Sequence, residues 1–264
     1  MAQLAGSDVE YIKEGRLAWV IFNRPEVRNA MTWEMYDALE SLCDELDQDE
    51  EVDVVVFRGK GGEAFVAGTD IKQFSSFETA DHAINYEHRI DRIINRLEKV
   101  QKPTIALIEG YCVGGGAAIA MACDFRYATP DLGFGIPIAK TLGNCISINN
   151  LARLVNLVGG SKAKEVIMLA KIVTAQESAR IGLVNDVFES TKIEEEVRSI
   201  ADRLCSFAPL TLKATKEGVR RIQESRRPAP GTDKDLVELC YTSQDFKNAV
   251  DAFINKKPRS WLGR

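Results

Sequence analysis

Residues 102–128 read KPTIALIEGYCVGGGAAIAMACDFRYA, and the fold turns on how they are parsed. Thr104–Ile108 is a β-branched, apolar run behind Pro103, the pattern of a buried strand. Gly114, Gly115 and Gly116 follow, then Ala117–Cys123, a small-residue apolar segment of helical length. Strand, glycine turn and helix start leave backbone N–H groups free in the first helical turn, at the positive end of the helix dipole. Such a turn receives an anion, or an oxygen that gains charge during a reaction. The plainer alternative is a tight junction where a side chain would clash. A second turn of this kind lies upstream in AFVAGTDIKQF, 64–74: Gly68 follows a strand-like pair and precedes Thr69, Asp70, Ile71 and Lys72, which can open a helical turn. If the Thr69 and Gly115 N–H groups converge, they form a two-donor pocket for a carbonyl oxygen.

The chain has 264 residues, 45% of them hydrophobic, enough for one sizeable core or a core with a small appendage. A net charge of −5 gives no electrostatic footprint for nucleic acid. Apolar runs stop well short of the ~18 residues that cross a bilayer, so no membrane partner is expected. The first residues, MAQLAGSDVEY, lack the basic and apolar pattern of a secretory signal. Six cysteines at 43, 112, 123, 145, 205 and 240 include no CxxC pair. They read as reduced thiols packing as small apolar residues in a cytoplasmic protein. With His82 and His88 the only histidines, a His-rich metal site is not expected.

In chain order, Val9–Ile12 and Leu17–Phe22 flank a Lys13–Gly15 turn and predict a hairpin, which Pro25 ends. Thr32 is a good N-cap, and Met31, Met35, Ala38, Leu39, Leu42 and Leu46 recur at helical spacing behind it. Val54–Phe57 reads as a buried strand, and 83–100 as a helix of interleaved charges. Further helices are predicted near 146–158, 161–169 and 175–181, a short strand within 183–189, and two or three closing helices broken by RRPAPG at 227–231. No tandem repeat appears. Strands gather in the first half and helices in the second, so the class is α/β with a helical C-terminal part.

NRPEVRNAM (23–31), AFVAGTDIKQF (64–74), KPTIALIEGYCVGGG (102–116), ACDFRYA (122–128) and SQDFKNAVDAFINKKP (243–258) together resemble, in order and spacing, the successive signatures of the crotonase superfamily, the enoyl-CoA hydratase/isomerase family. The resemblance implies a spiral of repeated ββα units over residues 1–200 and a helical region over 201–264 that builds homotrimers or dimers of trimers. It implies an acyl-CoA thioester as substrate, with no metal and no resident cofactor. The family's two oxyanion donors fall on Thr69 and Gly115. Its coenzyme contacts fall on Arg28 and Ala30, on the Ala67 carbonyl, on Asp70, Ile71 and Lys72, and on Phe253 and Lys256.

The departures bear on activity. A hydratase of this family activates water with two glutamates. Their places hold Ala118, two residues past the glycine triplet, and Ile138, after the Pro of FGIPIA. Neither can carry a proton, and a simple isomerase would keep the second glutamate. Five substitutes come into view. Cys145, after Gly143 and Asn144, stands where the dehalogenase branch has a nucleophilic Asp, though a packing cysteine is the simpler reading, since small apolar residues fit this loop. Asp91 matches that branch's catalytic His, with Glu87 on the same helix. Glu109 matters if buried, and Tyr241 matches a tyrosine of a lyase branch or else packs. An enzyme of thioester oxyanions and a CoA-thioester binder with little catalysis both remain; a serine-protease triad lacks a GxSxG and a placed histidine.

Overall fold

The computed structural model describes residues 2–3, 8–77, 79–229 and 231–264, and its strands form two sheets. The larger sheet has the order β1 (Ala2–Gln3), β2 (Val9–Glu14), β3 (Leu17–Phe22), β4 (Val54–Gly59), β6 (Thr104–Ile108), β8 (Phe125–Ala128), β11 (Asp186–Val187). The smaller has the order β10 (Val173–Thr174), β9 (Gly133–Gly135), β7 (Tyr111–Val113), β5 (Ala64–Ala67). From β3 to β11 the large sheet is parallel, and β2 with β3 forms the predicted antiparallel hairpin. Parallel strands covered on both faces need near-continuous apolar runs, and VVVF in β4 and TIALI in β6 supply them.

Each turn of chain lays one strand in each sheet and then adds a helix. β4 and β5 lead to α2 (Ala80–Glu98), and β6 and β7 lead to α3 (Gly115–Ala122). β8 and β9 lead through the short α4 (Ile138–Thr141) to α5 (Ile148–Met168), which breaks at Gly159 where φ is 78°. This is the expected ββα spiral. The helix predicted behind Thr32 is α1 (Trp33–Gln48), and the Thr32 side chain accepts from Met35 N. The glycine triplet departs from the simple parse: it follows β7, not β6. Gly110, at φ 62°, carries the chain from one sheet to the other, and the three residues of β7 are too few for a periodic signal.

After β10 come α6 (Ala175–Arg180), α7 (Ile193–Cys205), α8 (Pro209–Glu224), α9 (Lys234–Tyr241) and α10 (Gln244–Ile254). α7 lays Ile193, Val197, Ala201 and Leu204 on the sheet face formed by Trp19, Val54, Val56, Ile105 and Leu107. The division expected at residue 200 therefore falls inside a helix that packs on the sheet. α9 and α10 bring Val237, Tyr241, Phe246 and Val250 onto Phe74 and Ala83, a small cluster at the edge of the main core. Among the described residues, no helix is long and apolar enough to cross a membrane.

Two charged arrangements seat α2. On its exposed side Arg89, Arg92 and Arg96 pair with Asp37, Glu40 and Asp44 of α1. At its end the buried Glu98 takes both Arg153 of α5, at 3.0 Å, and Arg227.

Candidate active site

The loop between β3 and α1 is shaped by Asn29. Arg28 and Asn29 both hold positive φ, 55° and 56°, a region Asn tolerates and Arg does not favour. The buried Asn29 side chain supports the turn: its Oδ1 accepts from Arg24 N (2.9 Å), and its Nδ2 donates to Lys60 O (3.0 Å) and Ala64 O (2.8 Å). Ala67 N then donates to Arg28 O (2.9 Å), tying the loop to the end of β5.

Just beyond, Met31 N donates to Gly68 O and Asp70 N to Met31 O, each at 2.9 Å. These bonds clamp the peptides on either side of Thr69. At the other turn, Gly114 takes φ 55° and its N–H donates to Gly135 O (3.0 Å). Among the described residues, neither Thr69 N–H nor Gly115 N–H has an acceptor within the protein. The two turns touch. A Cβ on Gly115 would lie 3.3 Å from Thr69 Oγ1 and 3.6 Å from the Gly68 carbonyl carbon, and would overlap Tyr36 Oη. The Thr69 hydroxyl is shared with Tyr36 Oη (2.9 Å) and Tyr86 Oη (3.3 Å).

Both turns open on one cavity of about 190 Å³. Its remaining wall is mainly apolar, from Ile71, Phe74, Ile90, Met121, Leu142 and Phe253, and it includes both Ala118 and Ile138. Both present hydrocarbon to it. A larger cavity of about 300 Å³ between α3, α5, α7 and α8 is a different matter. Its cations are already engaged: Lys216 by Asp124, Arg153 by Glu98, Arg220 by Glu217, and Arg126 by the carbonyls of Leu183, Ala120 and Cys123.

The residues singled out in the sequence divide between wall and surroundings. Thr69, Gly115, Ala67, Ile71, Cys145 and Phe253 line the cavity. Arg28, Ala30, Asp70, Lys72 and Lys256 stand outside its lining. Arg28 is exposed, with its guanidinium 5.2 Å from the centre of the Tyr111 ring and 3.8 Å from Glu63. The Ala30 carbonyl accepts from Arg24 (2.6 Å), and Asp70 caps the turn at Lys72 N (3.2 Å) and pairs with Arg24. Lys72 and Lys256 point to solvent.

Asp91 does not reach the cavity. Its carboxylate accepts from Ser147 Oγ and from Asn149 Nδ2 (2.7 Å), fastening the start of α5 to α2. Cys145 reaches it with a hydrogen-bonded thiol. Sγ lies 3.6 Å from Leu236 O and is hydrogen-bonded to Cys240; that bond, then burial and the charge of Glu87, push its pKa up. A thiol held protonated is a poor nucleophile. Glu109 is spent in an ion pair with Arg58 at 2.8 Å.

The carboxyl that does face the cavity is Glu87. Tyr241 Oη donates to Glu87 Oε1, and Asn144 Nδ2 donates to Tyr241 Oη (3.1 Å). Burial raises the Glu87 pKa to about 8, against the opposing effect of the Tyr241 bond. A sequence signal existed: Ala83, Glu87, Ile90 and Ile94 form one buried stripe of α2, with a carboxyl where an apolar residue belongs.

Residues 13–264 match the model of the enoyl-CoA hydratase/isomerase family, and the chain belongs to that family. It is 34% identical over 246 residues to a short-chain-enoyl-CoA hydratase of Clostridium acetobutylicum, covering 93% of this chain and 94% of that one. A crotonyl-CoA hydratase of Syntrophomonas wolfei is 31% identical over 253 residues, 96% of each chain. Among solved structures, an enoyl-CoA hydratase/isomerase of Xanthobacter autotrophicus is similar with TM-score 0.83 and 29% identity, over 94% of this chain and 93% of that one. The chain is thus a family enzyme of acyl-CoA thioesters.

Proposed function

We propose that this protein binds an acyl-CoA thioester with its carbonyl oxygen between the N–H groups of Thr69 and Gly115, and stabilises the enolate or tetrahedral oxyanion formed there. The observation that carries the reading is the contact between two turns whose N–H groups lack acceptors among the described residues. One such donor is worth roughly 3 kcal/mol of transition-state stabilisation. The acyl group occupies the apolar cavity. The coenzyme leaves past Ala67 and Ile71, with Arg28, Lys72 and Lys256 available to its phosphates and Ala30, Asp70 and Phe253 beside it. The thioester is the substrate, and no resident cofactor is required. A helical C-terminal region from about residue 201 assembles trimers or dimers of trimers.

Addition of water is not the main activity on this reading, because Ala118 and Ile138 supply no proton carrier where the family resemblance puts a hydratase's two glutamates. General acid and base groups contribute roughly 10²–10⁴-fold each. Two measurements test the reading. Calorimetry with acetoacetyl-CoA gives binding heat, and its absence at millimolar ligand with folded protein overturns the proposal. Crotonyl-CoA hydration falls far below an ordinary hydratase; a rate within about tenfold of one contradicts the role given to Ala118 and Ile138.

A further inference from the structure

Two N–H groups hold charge but move no proton, and any enolate needs a group that gives or takes one. Among the described residues lining the cavity, Glu87 is the single carboxyl, and none of them is Lys, Arg, His or Asp. No Lys or Arg pairs with it among the described residues, unlike Glu98 eleven residues on, which is buried between two arginines. A carboxyl buried without a cation is expensive, and a glutamine would hold Tyr241 as well. Glu87 shares that cavity with both donor turns, whose Thr69 and Gly115 also line it.

Resting on the function proposed above, we infer that Glu87 is the residue that exchanges a proton with the acyl carbon beside the thioester carbonyl. The Glu87 carboxylate takes a proton from that carbon. The C–H electron pair becomes the enolate double bond, and the negative charge passes to the oxygen held by Thr69 and Gly115. The Glu87 carboxyl then trades that proton with solvent, and return of a solvent-derived proton to carbon closes the cycle. Tyr241 is a positioning residue: its hydroxyl, steadied by Asn144, aims the carboxyl and favours its charged form.

The groups facing Glu87 are Tyr86 and Asp91 on α2, Tyr36 on α1, Cys145 and the Ser147 backbone in the loop before α5, Asp233 before α9 and Tyr241 on α9. Burial, reinforced by the negative charges of Asp91 and Asp233, makes base catalysis by Glu87 switch on late, rising with pH through about 8.

The test is deuterium uptake from D₂O at the α-carbon of butanoyl-CoA, followed by NMR on the full-length protein, with binding measured separately by calorimetry. The wild type exchanges, with a rate that rises towards pH 8 and then levels. Glu87→Gln binds the thioester and loses at least about 100-fold of the exchange. Tyr241→Phe exchanges, with its rise displaced to higher pH, a shift that a merely structural tyrosine would not produce. Wild-type binding with no exchange, exchange that survives Glu87→Gln, or an unshifted Tyr241→Phe profile overturns the inference and leaves thioester binding standing. Absence of binding overturns the function beneath it. If Glu87→Gln does not fold, Glu87→Asp and the Tyr241→Phe profile decide the matter.

Discussion

Gly115→Ala tests the donor pocket at its tightest point. Gly115 opens α3 with an ordinary helical backbone, so alanine meets no conformational barrier and by itself would favour the helix by roughly 0.5–1 kcal/mol. The opposing effect is steric. The new methyl overlaps Tyr36 Oη and comes to 3.3 Å from Thr69 Oγ1. Tyr36 is fully buried and its hydroxyl is bonded to Thr69, so it cannot swing away. Either Tyr36 or the turn must retreat by about 1 Å to reach normal contact. Overpacking of this kind costs about 1–3 kcal/mol, leaving a net loss of about 1–2 kcal/mol. Displacing the donor should also lower turnover towards the roughly 10²–10³-fold lost when such a donor is removed. Tyr36→Phe removes the overlapped oxygen and alone costs about 1 kcal/mol for the lost hydrogen bond. The double variant should then be more stable than the sum of the singles by about 1–2 kcal/mol, read by urea unfolding. Additivity within about 0.5 kcal/mol would show that the two turns do not meet at Tyr36.

Three more outcomes follow from named contacts. Thr69→Ala keeps the backbone N–H and removes the hydroxyl shared with Tyr36 and Tyr86, so it should cost about 1–3 kcal/mol of stability while turnover stays within about tenfold; a collapse of roughly 10²–10³-fold, the loss expected for a missing oxyanion donor, would assign catalysis to the side chain. Arg227→Ala leaves Glu98 half-paired and should cost about 3–5 kcal/mol at pH 7. Its partners hold the Glu98 pKa at about 2, below the ordinary 4.5, so this stability is present above about pH 5 and fades as pH falls towards 2; equal deficits at pH 7 and pH 3 would refute that. Glu87 has the opposite sign: a folded pKa of about 8 against 4.5 means stability is full below pH 4.5 and is lost as pH rises through 8. Melting curves of Glu87→Gln should lack that decline, and parallel curves would count against it.

Much of the fold is legible in local chemistry. The Thr32 cap, the hairpin at Gly15 and the apolar strand at 104–108 each rest on neighbouring residues, and the structure keeps all three. What escapes is set by distant parts. Nothing within Tyr111–Val113 reveals a strand of the second sheet, because its partners are β5 and β9. Asp91 and Glu87 lie one helical turn apart, and composition cannot tell which faces the cavity; the loop before α5 claims Asp91, and Tyr241 of α9 meets Glu87. Cys145 is likewise decided by Cys240, ninety-five positions later. The Thr69 and Gly115 turns are readable singly, and their contact only in three dimensions.

The three arginines of α2 answer three acids of α1 at one constant separation, 52 residues in each pair, at positions 37, 40 and 44 against 89, 92 and 96. Two helices running the same way and matched at three rungs behave like a vernier: sliding one past the other by a turn keeps at most one of the three arginine pairs. Single exposed pairs are worth little, about 0–1 kcal/mol, and salt weakens them. Their combined effect is positional, because the same helix carries Glu87 on its inner side. High ionic strength therefore reaches the cavity indirectly, by loosening the ruler against which that carboxyl is set.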